Sequence, residues 1–136
     1  MRANRSMPPA VIIPELAYDD VREASTWLCD RFGFTERLRI ADHRAQLCFG
    51  EAAVVLMQRV GPRGTGRNHG IMVRVTNVDA HHAHAKARGA RIVDPPATHP
   101  YGERQYTAED LGGHFWTFSE TIVDVDPQSW GGELRA

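Results

Sequence analysis

YGERQYTAEDLGGHFWTFSE, residues Tyr101 to Glu120, reads as two strands around a turn. From Arg104 to Glu109 the residues are β-compatible and alternate, Asp110-Leu-Gly-Gly113 tolerates positive φ, and Phe115 to Phe118 is aromatic and β-branched. The pattern predicts a hairpin. Upstream of it, Gly70 to Val75 alternates as a strand, Asn77 is an N-cap, Val78 to Arg88 has helical spacing, Gly89 terminates it, and Arg91 to Val93 is a further strand. Strand, helix and three strands make one βαβββ unit.

The same punctuation occurs earlier in the chain. Val11 to Tyr18 reads as a strand carrying Pro14, and Asp19 and Asp20 offer an N-cap. Val21, Ala24, Leu28 and Phe32 follow helical spacing up to Gly33, and strands are predicted at Glu36 to Ile40, Ala45 to Phe49 and Ala52 to Gln58. Asp20 and Gly33 recur as Asn77 and Gly89 at an offset of 56 to 57 residues, so the chain contains an internal repeat. We therefore expect an α+β fold of two βαβββ modules in one domain. Residues 1–9 are a flexible arm, 10–60 the first module, 61–69 a glycine-rich linker, 70–122 the second module and 123–136 a loosely held tail with Trp130 able to dock. The linker does not both follow a strand and open a helix, as a phosphate-cradling loop must, and reads as a connection.

Composition narrows the function classes. With 42% hydrophobic residues, 24% charged residues and a net charge of -1, the chain has no basic excess for nucleic acid or anionic lipid. Neither is expected as a partner. No apolar run suits a signal peptide or a membrane span, so a cytoplasmic protein is expected. Cys29 and Cys48 form no CxxC pair and read as reduced, packed thiols.

Tyr101-Gly102-Glu103-Arg104, Asp110 and Gly113-His114-x-Trp116-x-Phe118 resemble the closing hairpin of the vicinal-oxygen-chelate superfamily, which includes glyoxalase I, bleomycin-resistance proteins and extradiol dioxygenases. The resemblance spans residues 10 to 122. It implies sheets curled into a cup with helices outside, modules paired within a chain or across chains, with a homodimer expected, and four metal-ligand places that fall here on Ile13, Leu56, Gly70 and Thr117. None is a histidine or a carboxylate, so no metal and no other cofactor is expected. His81, His82 and His84 lie on the outer helix and read as packed or solvated. His69 faces the cup only if its strand flips Ile71, Val73 and Val75 off the helix. His114 reads as a packed residue, and His43 and His99 sit in turns.

Alternation places Ile13, Glu15 and Ala17 on one inward face, Gly70, Met72 and Arg74 on its repeat mate, and Val54, Leu56, Gln58, Phe115 and Thr117 on the last strands. The expected cup is mostly apolar, with Glu15 and Arg74 either paired or reading a ligand. Arg104 and Tyr106 share a face whose direction the pattern leaves open. The ligand-binding set is thus Glu15, Leu56, Met72, Arg74, Arg104, Tyr106, Phe115 and Thr117. The first expectation is a metal-free, bleomycin-resistance-like protein that binds a small organic molecule. The second is an isomerase or lyase with Glu15 as general base and Arg74 stabilising an oxyanion. A third keeps a metal-dependent glyoxalase or dioxygenase-type reaction through non-standard ligands.

Overall fold

The structure is a computed structural model describing residues 4–63 and 69–135. Its order is β1 (Glu15–Tyr18), α1 (Val21–Phe32), β2 (Thr35–Ile40), β3 (Arg44–Phe49), β4 (Ala52–Gln58), then β5 (Ile71–Arg74), α2 (Val78–Ala87), β6 (Arg91–Thr98), β7 (Glu103–Glu109), β8 (Phe115–Thr121) and a 3₁₀ turn at Pro127–Trp130. This is βαβββ twice, an α+β fold. Linker residues 64–68, arm residues 1–3 and the last tail residue lie outside the described residues. The chain forms two compact units, one per module, and the hairpin turn Leu111–His114 groups with the first. Among the described residues no helix is long and apolar enough to cross a membrane.

The two sheets repeat one topology. The first has strand order β1-β4-β3-β2 and the second β5-β8-β7-β6, with the first strand of each module parallel to its last. Each helix starts where a side chain caps it: Asp20 accepts from the Glu23 N–H and Asn77 from the Ala80 N–H, both at 3.0 Å. α1 ends at Gly33, whose φ of 87° is left-handed and cheap only for glycine. α1 buries Val21, Ala24, Leu28 and Phe32 with Leu16, Leu47 and Leu56 in one core. In the second unit Val78 and Ala85 of α2 are buried, as are Tyr106, Ala108, Trp116 and Phe118. Trp116 Nε1 donates to the buried Asp110 carboxylate at 2.9 Å, which ties the hairpin's two strands beside the turn.

Three predicted boundaries shift by three residues or more. β1 begins at Glu15 rather than Val11, and Val11 and Ile12 are exposed, because Pro14 has no N–H for the ladder. β6 runs to Thr98, through Pro95 and Pro96, which an edge strand tolerates at the register shift between Asp94 and Ala97. β8 continues to Thr121, and the tail folds into the 3₁₀ turn capped by Asp126. Described arm residues are also in contact with the fold: Pro8 is buried, and Gln46 donates to the Ser6 carbonyl at 2.8 Å.

Candidate functional site

Helix-covered and open faces separate by register. In the second sheet Ile71 pairs with Trp116 and Val73 with Phe118, so these residues face α2, while Met72 pairs with Thr117 and Thr117 with Thr107 on the other face. That open face holds a cavity of about 530 Å³. Its floor is Met72, Gln105, Thr107 and Thr117, one wall is the bulged segment Asp94–Ala97, and the mouth carries His99 and Tyr101.

The floor is polar and internally bonded. Thr107 and Thr117 hydroxyls lie 2.8 Å apart, Gln105 Nε2 donates to Ser119 Oγ at 3.0 Å, and Ser119 Oγ donates to Glu103 at 2.7 Å. Tyr101 OH donates to Gln105 Oε1 at 3.1 Å, so both ends of that amide are oriented. Met72 stands beside this ladder, 4.0 Å from Gln105 Nε2, and is 65% exposed although it lies in a strand. At the mouth His99 and Tyr101 stack with rings 5.1 Å apart and 3° from parallel, and Trp130 meets Tyr101 edge-on at 5.4 Å. Arg74 bonds Thr121 and lies 3.7 Å from Glu103. The Ser119 bond first, then Thr121 and the Arg74 charge, hold the Glu103 carboxyl below its ordinary value.

Sequence-predicted residues divide between faces. Met72, Arg74 and Thr117 lie on the open face as expected, and Phe115 shares their register without bordering the cavity. Tyr106 borders it, but its side chain belongs to the α2 side: its hydroxyl is 2.5 Å from His81 Nδ1 and its ring stacks on Phe118. Arg104, two residues earlier, reaches Asp79 of α2 at 3.1 Å. In the first sheet Glu15 pairs with Val55, not Leu56, so Leu56 turns to the buried α1 side with Leu16 and Ala45. Each of the two charges has a partner within its own unit: Glu15 lies 3.7 Å from Arg44, and Arg74 bonds Thr121 near Glu103. The cavity's polar groups are gathered on the floor, and the lining as a whole exposes more apolar than polar surface. His99, Tyr101, Gln105 and Thr107 escaped the sequence reading, although Tyr106 and Ala108 facing the helix forces Gln105 and Thr107 to the other side.

The residues at the family's metal places do not fit a divalent ion. Ile13 precedes the strand, Leu56 is buried under α1 with Val55 in its register place, Gly70 has no side chain, and the Thr117 hydroxyl is bonded to Thr107. Among the described residues no three His, Cys, Asp or Glu side chains converge on a point. Two of the α2 histidines are in packing contacts, His81 4.1 Å from the Phe118 ring and His82 5.1 Å from the Tyr106 ring, and His84 is exposed. His114 bonds the Ala17 carbonyl at 2.8 Å.

The family model for the Glyoxalase/Bleomycin resistance protein/Dioxygenase superfamily matches residues 11–118. Among solved structures, TioX from Micromonospora sp. ML1 is 35% identical with a TM-score of 0.70, over 82% of this chain and 98% of that one. A glyoxalase/bleomycin resistance protein/dioxygenase from Nocardioides is 19% identical with a TM-score of 0.70, over 93% and 90%. The fosfomycin resistance protein FosX from Listeria monocytogenes is 16% identical with a TM-score of 0.69, over 84% and 94%, a likeness of fold. No curated protein sequence matches the chain. Repeat, fold, family match and a relative at 35% identity agree, and the chain belongs to the Glyoxalase/Bleomycin resistance protein/Dioxygenase superfamily.

Proposed function

We propose that the protein binds a small organic molecule on the open face of the second sheet, without a metal. Met72 carries the reading: a thioether 65% exposed beside a ladder of oriented polar groups is what an amphipathic ligand needs on its receptor. The His99 and Tyr101 stack offers a flat surface to an unsaturated ring, and Gln105, Thr107 and Thr117 offer hydrogen bonds to its polar edge. Arg74, 73% exposed at its side chain, favours a negative group on the ligand. Binding without turnover fits this set better than the isomerase reading, because the Glu15 carboxylate has Arg44 beside it and the Glu103 carboxylate is already bonded to Ser119.

Edge strands β1, β2, β5 and β6 and the exposed Ile122, Val123 and Leu134 support a homodimer, and a cytoplasmic location is proposed with it. The test is a titration with 8-anilinonaphthalene-1-sulfonate, an aromatic anion, read by its own fluorescence and by quenching of Trp130. Saturable binding that Gln105→Leu and Thr117→Trp both weaken supports the reading. Equal binding by wild type and both variants would sink it.

A further inference from the structure

The first sheet has an open face as well, and part of the chain already sits on it. Asn4 to Met7 forms a tight turn in which Asn4 Oδ1 accepts from the Ser6 N–H at 3.0 Å and the Asn4 carbonyl from the Met7 N–H at 3.2 Å. This turn aims two successive carbonyls outward. Arg37 Nη2 donates to the Arg5 carbonyl at 2.9 Å, and Gln46 Nε2 to the Ser6 carbonyl at 2.8 Å. The receptor groups are organised for one another: Arg37 Nη1 donates to Gln46 Oε1 at 2.7 Å, which leaves the Gln46 NH₂ as the outward donor. Gln46 pairs with Val55, and Val55 with Glu15, so it belongs to the face away from α1, and Glu36 next to Arg37 takes the helix side through Ser25. A glutamine only 5% exposed at such a place is costly unless its NH₂ has an acceptor.

We propose that the open face of the first sheet is a second binding site, for a peptide-like molecule that presents two successive amide carbonyls in a turn, and that Asn4–Met7 is its resident occupant. Two paired donors read two carbonyls, and the contacts are to backbone, so they set no side-chain requirement at Arg5 or Ser6. A second molecule of that chemistry displaces the arm. The arm's tether gives it an effective concentration in the millimolar range, so displacement needs free ligand at that level or a tighter ligand.

Limited proteolysis of the full chain tests this, because a protease cuts a docked segment through its open form. Trypsin cleavage after Arg5 is followed by mass spectrometry in wild type, Gln46→Ala and Arg37→Ala, the last altering an exposed side chain that leaves the core untouched. The probe is the hexapeptide acetyl-Asn-Ala-Ser-Met-Pro-Pro-amide, the arm's residues 4–9 with the tryptic arginine removed. The proposal expects each variant to be cut roughly tenfold faster than wild type, as loss of one hydrogen bond to a docked segment allows. It also expects millimolar peptide to speed wild-type cleavage and leave Gln46→Ala unchanged. Equal rates in wild type and both variants would show that the arm is not held there. Faster variants with no response to the peptide would make the contact a fixed strap, and the site would fall. These readouts involve only the first module, so they are independent of ligand binding on the second sheet.

Discussion

Replacing the threonine pair on the second sheet by valine separates a face kept polar for a ligand from one kept polar for the fold. Thr107 and Thr117 share one hydrogen bond at 2.8 Å, and they differ in burial: Thr107 is 5% exposed while Thr117 is half-buried at the cavity. Thr117→Val strands the buried Thr107 hydroxyl, a loss of about 1–2 kcal/mol for an unpaired group. Thr107→Val leaves a Thr117 hydroxyl that water can reach, so about 0.5 kcal/mol is expected. The double variant removes both partners in the same shape and suits a β-strand, so it should lie within about 0.5 kcal/mol of wild type. The coupling recovered from this cycle is therefore about 1–2 kcal/mol. Urea denaturation followed by fluorescence provides the four stabilities. Costs that simply add, so that the double variant is the least stable, would show the hydroxyls holding the sheet separately and would refute the view that the fold does not require them.

Arg74→Met should weaken binding of an anionic ligand by about 1.5–3 kcal/mol in calorimetry. Its effect on folding should stay below about 1 kcal/mol, since an exposed ion pair contributes little; the reverse pattern would make Arg74 structural. Burial raises the Tyr106 hydroxyl from its ordinary 10.0. A folded-state value above the unfolded one means that this stability is full below pH 10 and declines as pH rises beyond it, and Tyr106→Phe should flatten the decline in alkaline urea melts. Light scattering at micromolar concentration should return a dimer mass, and a stable monomer would count against the proposed pairing.

The fold was legible because its punctuation is local. Asp20, Gly33 and Asn77 act within a few residues of themselves, so caps and stops identify the helices without tertiary information. Faces were legible where polarity alternates, as in Ile71-Met-Val-Arg74, where the pattern assigned Met72 and Arg74 correctly. They were not legible in Ala52-Ala-Val-Val-Leu-Met57, a continuous apolar run in which pairing with β1, not pattern, turns Leu56 to the helix and Val55 away. Pro95 and Pro96 concealed most of β6, since only its place at the sheet edge makes them tolerable. Stacking of His99 on Tyr101 and the arm's contacts with Arg37 and Gln46 join residues whose spacing carries no motif.

Methyl labelling of methionine tests ligand binding on the second sheet most directly. The chain has four methionines, and of the three among the described residues, Met7, Met57 and Met72, only Met72 borders the cavity. In carbon-proton spectra of the [¹³C-methyl]methionine protein, titration with 8-anilinonaphthalene-1-sulfonate should move the Met72 resonance saturably, with Met72→Leu assigning it, while Met57 and Met7 stay in place. Saturable shifts at Met57 or Met7 with Met72 unmoved would contradict the account and place the ligand on the first module instead.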